Sequence, residues 1–111
     1  MPARVFMSSG DMIADRRFDF ARDLQLRGDL AAAADLFAQA TELAPGFAAA
    51  WFALGEVREQ LGDLEAAITA FRHARMTDPG DHSGAGLRLM RLGAADLAGM
   101  PPSVRAEAVS S

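Results

Sequence analysis

The chain contains no cysteine. A disulfide framework and thiol chemistry are both excluded. It has no tyrosine, one tryptophan and seven phenylalanines, which leaves little for stacking nucleic-acid bases. The net charge is −4, with acids and bases interleaved. The concentrated basic patch that phosphate backbones require is missing, so nucleic acid is not expected as a partner. No apolar run approaches the roughly 18 residues needed to span a bilayer, so no membrane partner is expected either. Met1 to Gly10 lacks the apolar core of a secretory signal. Together these absences point to a cytoplasmic protein. At 111 residues the chain makes one domain, able to bury about 65% of its unfolded surface.

What is present is a repeat. Aligning residues 14–47 with 48–81 gives 11 identities in 34 positions. Gly28-Asp29-Leu30, Ala33, Phe37, Ala40 and Pro45-Gly46 match Gly62-Asp63-Leu64, Ala67, Phe71, Ala74 and Pro79-Gly80. Each copy reads as two helices around a tight turn. Phe20, Ala21 and Leu24 share one face of the first helix, which Asp11 can cap at its N-terminus, and Phe20 is expected in the repeat core with Phe37, Trp51 and Phe71. Gly28 ends it, because glycine accepts the left-handed conformation of a helix C′ position. Asp29 is placed to cap the second helix. There Leu30, Ala33, Phe37, Ala40 and Leu43 form a narrow stripe, and Ala33 and Ala40 leave room for the Phe37 ring. Pro45 stops the helix. In the second copy Trp51, Leu54, Gly55 and Leu61 face inward against Leu64, Ala67, Ile68, Phe71 and Ala74. Gly55 admits close approach of the partner helix.

A shorter helix, about 83–92, follows, capped by Asp81 or Ser83. Its Ala85, Leu89 and Leu92 fall where a third copy would place core residues. No partner helix with the Ala-x3-Phe stripe comes after it, so it reads as a cap over the last apolar face. Residues 1–10 read as a tail and 94–111 as a linker, with a short helix over 103–109.

The 34-residue period, the W-x2-L-G of Trp51 to Gly55 and the Ala-x3-Phe-x2-Ala stripe resemble the tetratricopeptide repeat (TPR). The resemblance implies an all-α fold: two TPR helix-turn-helix repeats plus a C-terminal capping helix, a right-handed α-solenoid over residues 11–93. It also implies a scaffold that presents a helix-lined groove to a peptide or helix, with no catalysis of its own. Arg17 stands where the family has Trp, Ala21 where it has Gly, and Arg58 where it has a large aromatic. Both arginines can lay their stems over apolar surface.

In that resemblance Phe18 and Phe52 occupy equivalent groove-lining places. Asp15, Asp19, Arg22, Ala49, Ala53 and Glu56 share the groove with them, which suits an apolar or mixed-charge segment. The other reading packs both rings beneath the N-terminal tail or against the capping helix. Chaperone-binding relatives clamp a carboxylate with Lys and Asn; Phe18, Arg22 and Ala53 hold those slots here, which argues against such a clamp. Two repeats fall short of the roughly three that such stacks need. A self-partner joined through Phe18, Phe52, Leu87 and Met90 is one way to make up the difference.

Catalytic candidates are few. His73 and His82 lie on an outer helix face and in a turn, without the converging ligands of a metal site. Asp15 with Asp19, and Glu56 with Glu59, sit among arginines such as Arg22 and Arg58 and read as surface ion pairs. Ser8, Ser9 and Ser83 have no His–acid companions. No metal, cofactor or catalytic set is expected.

The tract from Asp78 to Ala94, followed by Met100-Pro-Pro-Ser-Val, is similar to the bridge in bacterial proteins that join a TPR segment to an S-adenosylmethionine-dependent methyltransferase domain. That resemblance implies an accessory segment of a larger protein. It carries over no catalytic or cofactor residue, since no glycine-rich loop after a strand is present. The leading expectation is therefore a protein-binding module. The alternatives are substrate recognition within a methyltransferase and a free-standing oligomerisation unit.

Overall fold

The structure, a computed structural model, describes residues 9–93. The expected tail up to residue 8 and the expected linker and helix beyond residue 93 lie outside the described residues. Five helices follow in order: α1 (Met12–Leu26), α2 (Leu30–Leu43), α3 (Ala48–Gln60), α4 (Leu64–Thr77) and α5 (Ala85–Arg91). No strand occurs among the described residues. α1 packs on α2, α2 on α3, α3 on α4 and α4 on α5. The arrangement is an all-α repeat solenoid, two helical hairpins closed by a single helix.

The hairpin turns repeat in atomic detail. Gly28 and Gly62 both adopt a φ of 85°. Gly28 N–H donates to Gln25 O and Asp29 N–H to Leu24 O; Gly62 N–H donates to Glu59 O and Asp63 N–H to Arg58 O. This pair of bonds satisfies the last free carbonyls of each first helix and needs a left-handed residue at its centre. Asp11 caps α1, accepting from the backbone of Ile13 and Ala14, and Asp63 caps α4 through Ala66 N–H. Asp29 sits at the corresponding position of α2, but its carboxylate makes no capping bond there. α5 departs from expectation as well. Gly84, at a φ of 82°, is its N-cap residue, and the Asp81 carboxylate accepts from Gly86 N–H at 3.1 Å. Ser83 does not cap, and its Oγ is buried without a hydrogen bond among the described residues.

The core is built from alanine and phenylalanine. One buried cluster joins the two hairpins through Ala14, Phe18, Ala21, Phe37, Phe47, Leu54 and Val57. A second joins α4 to α5 through Ala67, Phe71, Ala74, Ala85 and Leu89. Each fully buried ring contributes roughly 1.5–3 kcal/mol of transfer free energy. Alanine elsewhere lets helices approach closely enough to seat those rings. Gly55 carries this furthest: a methyl group on its Cα would lie 2.6 Å from the ring of Phe71, which is fully buried.

Several expected core positions are corrected. Phe20 is 58% exposed, and the buried ring of α1 is Phe18 at 3%. Leu43, Leu61 and Leu64 lie at the hairpin ends, where no other described element covers them, and all three are exposed. Phe47, outside the expected stripes, is 2% exposed and packs 4.9 Å from Phe18.

Candidate functional site

The groove candidates can be placed from the helices that carry them. Phe18 and Arg22 come from one face of α1; Ala49, Phe52, Ala53 and Glu56 come from one face of α3. These six line a single cleft of about 510 Å³. Asp15 and Asp19 are not part of its lining. Asp15 instead accepts from the Ser9 backbone N–H and hydroxyl, both at 2.8 Å, and so ties the chain entrance to α1. Sequence reading missed Gln25, Leu26 and Gln60, which extend the two walls, and Ser83, which reaches the cleft from the α4–α5 loop. Gln25, Leu26 and Gln60 lie on the same helix faces, one turn further along α1 and α3, and only Ser83, in a loop, lies off them.

The two aromatic residues differ in their surroundings. Phe18 is almost wholly buried and only edges the cleft, 5.4 Å from Phe37. Phe52 is half-buried, 5.4 Å from Phe71, and also borders the capping helix through Arg88, whose guanidinium lies 5.2 Å above its ring. Arg22 lies 5.8 Å over Phe18 at the cleft edge, an exposed cation against an aromatic face. The self-association surface built on Phe18, Phe52, Leu87 and Met90 does not hold in that form, because Phe18 is a core residue. Leu87 and Met90 are exposed.

The acidic residues of α3 hold the cap. Arg88 pairs with Glu56 at 3.1 Å and Glu59 at 3.7 Å, and Arg91 pairs with Glu59 at 3.2 Å. The expected partner, Arg58, donates instead to the Ala66 carbonyl. Glu56 is thus already answered on its own wall of the cleft.

Both histidines make contacts within the fold. The His73 ring stacks on Trp51 at 4.2 Å and 14°, with Nδ1 2.9 Å from the Thr69 carbonyl. A carbonyl only accepts, so Nδ1 carries the proton. Trp51 Nε1–H donates to the Pro45 carbonyl. His82 Nδ1 lies 2.9 Å from Asp78 Oδ1, and His82 N–H donates to Asp78 Oδ2 at 2.6 Å. The hydrogen bond from the His82 side chain is the main reason the Asp78 carboxyl sits below the ordinary carboxylate value. His73 is therefore half-buried under an indole and not simply solvated. Among the described residues no group of three His, Asp or Glu side chains could hold a metal ion. No helix among them is long and apolar enough to cross a membrane.

A comparison with curated proteins finds no match to the chain. A comparison with protein families matches residues 18–82 to the Tetratricopeptide repeat. That match covers more than half of the 111 residues and runs from within α1 to beyond α4. Repeats of this family generally act as non-catalytic scaffolds that mediate protein–protein interaction. The paired glycine turns, the rings seated against Ala and Gly, and the family match agree: the chain belongs to the tetratricopeptide repeat family.

Proposed function

We propose that this chain binds a peptide segment of a protein partner in the cleft between α1 and α3. The observation that carries the reading is the make-up of the cleft. Its floor has two alanines, Ala49 and Ala53, beside the edges of Phe18 and Phe52. Small residues between rings leave depressions in which apolar side chains can sit. Its rim carries Arg22, Gln25 and Gln60, which can meet the polar groups of a backbone. The volume lies within the roughly 300–1,000 Å³ of sites that hold compact ligands. Repeat folds of this kind recognise by surface complementarity, and no chemistry is needed from the chain itself.

The test is a peptide-display selection followed by amide chemical-shift mapping of the selected peptides on the isotope-labelled chain. Perturbations are expected to concentrate in residues 18–26 and 49–60. Perturbations confined to the outer face of α4 and α5, around Met76 and Met90, would overturn the reading.

An accessory role beside a methyltransferase domain is supported by the sequence resemblance of the tract from Asp78 to Ala94, not by the cleft. Reading the gene downstream of Ser111 checks it. Strand–helix alternation with a glycine-rich loop is the expected result, and its absence would remove the accessory role.

A further inference from the structure

We infer that the outer face of α1 is a self-association surface, on which a second copy of this chain packs its own α1 antiparallel to the first. The inference stands apart from the cleft, which lies on another face of the same helix.

The repeat supplies the first observation. Shifting by 34 sets Ile13 on Phe47 and Phe20 on Leu54. Phe47 and Leu54 are 2% and 1% exposed, because they lie in the cluster that joins α3 to the preceding hairpin. Ile13 and Phe20 occupy the same places on α1 and are 55% and 58% exposed. Positions that seat one hairpin on another therefore carry large apolar side chains on α1 too, with no described element against them.

Charge supplies the second. Arg16, Phe20 and Asp23 follow one another at spacings of four and three, along one exposed face of α1. Arg16 makes no ion pair among the described residues, and Asp23 is held only by Arg27 of its own helix, at 3.0 Å. The order is cation, ring, anion. That order is self-complementary when the helix is reversed. A two-fold axis between residues 19 and 20 sets Arg16 opposite the second copy's Asp23, sets Asp23 opposite its Arg16, and brings the two Phe20 rings together at the centre. Isologous contacts need this property: each side must answer itself. The contact is one helix long, about 22 Å, so the dimer belongs to the weak, concentration-dependent class.

Analytical ultracentrifugation of the full chain up to about 1 mM, the weak end of measurable association, tests the inference. The wild-type chain is expected to dimerise. Arg16→Glu and Asp23→Arg each set like charges face to face, and each is expected to weaken association at least about tenfold. An equimolar mixture of the two variants restores both ion pairs across the axis and is expected to recover it as a heterodimer. Phe20→Ser is expected to weaken association without the mixing rescue. All three positions are exposed, so circular dichroism should show unchanged helix content. A monomeric wild-type chain at the highest concentration overturns the inference. So does association that survives Arg16→Glu, or a mixture that behaves like its components; neither outcome touches the cleft.

Discussion

The two hairpins are near-copies in their turns and unlike in their cores. Phe18 faces Phe37 at 5.4 Å and 58°, and 34 residues later Phe52 faces Phe71 at 5.4 Å and 55°. The central ring contact is conserved between the copies to within a few degrees. Around it the solutions differ. At one pair of positions the first hairpin has a side-chain hydrogen bond from Arg17 to Gln39, and the second has Trp51 stacked on His73. At another, Ala21 faces its hairpin partner in the first and Gly55 in the second. At a third, Phe20 is exposed and Leu54 buried. The first two differences are local chemistry. The third comes from place in the stack: α3 has the first hairpin beside it and α1 has none among the described residues. A repeat therefore fixes the contact inside each hairpin, while position in the stack decides what happens to the outward face.

The sharpest way to break this comparison is to exchange the residues beneath the buried rings. A glycine in an open helical position gains about 1 kcal/mol on change to alanine. Gly55→Ala should do the reverse. Its new methyl would meet three carbons of the Phe71 ring at 2.6, 2.7 and 2.9 Å, and that ring has no exposed side toward which to move. Overpacking of this kind costs about 1–3 kcal/mol, so a net destabilisation of about 1–2 kcal/mol is expected by urea unfolding. Ala21→Gly in the first hairpin should also destabilise, by about 1–2 kcal/mol, through lost helix propensity and one lost buried methyl. Equal and opposite effects at the two positions would mean that the hairpins share one core geometry after all.

The fold was legible because its signals are local and repeated. Gly28-Asp29 and Gly62-Asp63 name the turns, and the Ala-x3-Phe-x2-Ala spacing names one face of each second helix. The cap was legible through Ala85 and Leu89 at helical spacing. Phe20 was misplaced because periodicity within α1 cannot tell a face covered by a neighbouring hairpin from one left open. The charge partners of Glu56 and Glu59 were misread for a related reason. Arg58 is near in sequence, whereas Arg88 and Arg91 arrive only once α5 folds back over α3. The cleft was half legible: equivalent positions gave Phe18 and Phe52, but the loop that brings Ser83 to it leaves no periodic trace.

A smaller effect separates the two side-chain clasps. His73→Ala removes a stacked ring from Trp51 and should cost about 0.5–1.5 kcal/mol, the usual worth of an aromatic pair beyond its area. Gln39→Ala, at the equivalent place, loses one exposed hydrogen bond and should cost no more than about 0.5 kcal/mol. Trp51 is the sole tryptophan, so its fluorescence reports the first change directly. His73→Ala should alter the emission of the folded chain and Gln39→Ala should leave it unchanged. Matching losses in stability, or an emission that ignores His73, would make the stack an incidental contact.

The smallest effect lies in the loops that follow the hairpins, where Asp78 stands in the place of Ala44. The first loop has no carboxylate at that place; in the second, Asp78 accepts from both the backbone and the ring of His82. Its carboxyl is held below its usual value of 3.8 in the folded chain. A group whose folded value is depressed binds fewer protons folded than unfolded. Its contribution is therefore complete above about pH 4 and fades as the pH falls through the lower folded value. Stability measured by urea from pH 6 to pH 2 should decline along this limb in the wild-type chain, and Asp78→Asn should flatten part of that decline. Asp78→Ala restores the residue of the first hairpin and should flatten it equally while loosening the entrance to α5, seen as faster amide exchange at Ala85 to Leu89. An acid limb unchanged in both variants would show that the loop after α4 depends on its carboxylate no more than the loop after α2 depends on Ala44.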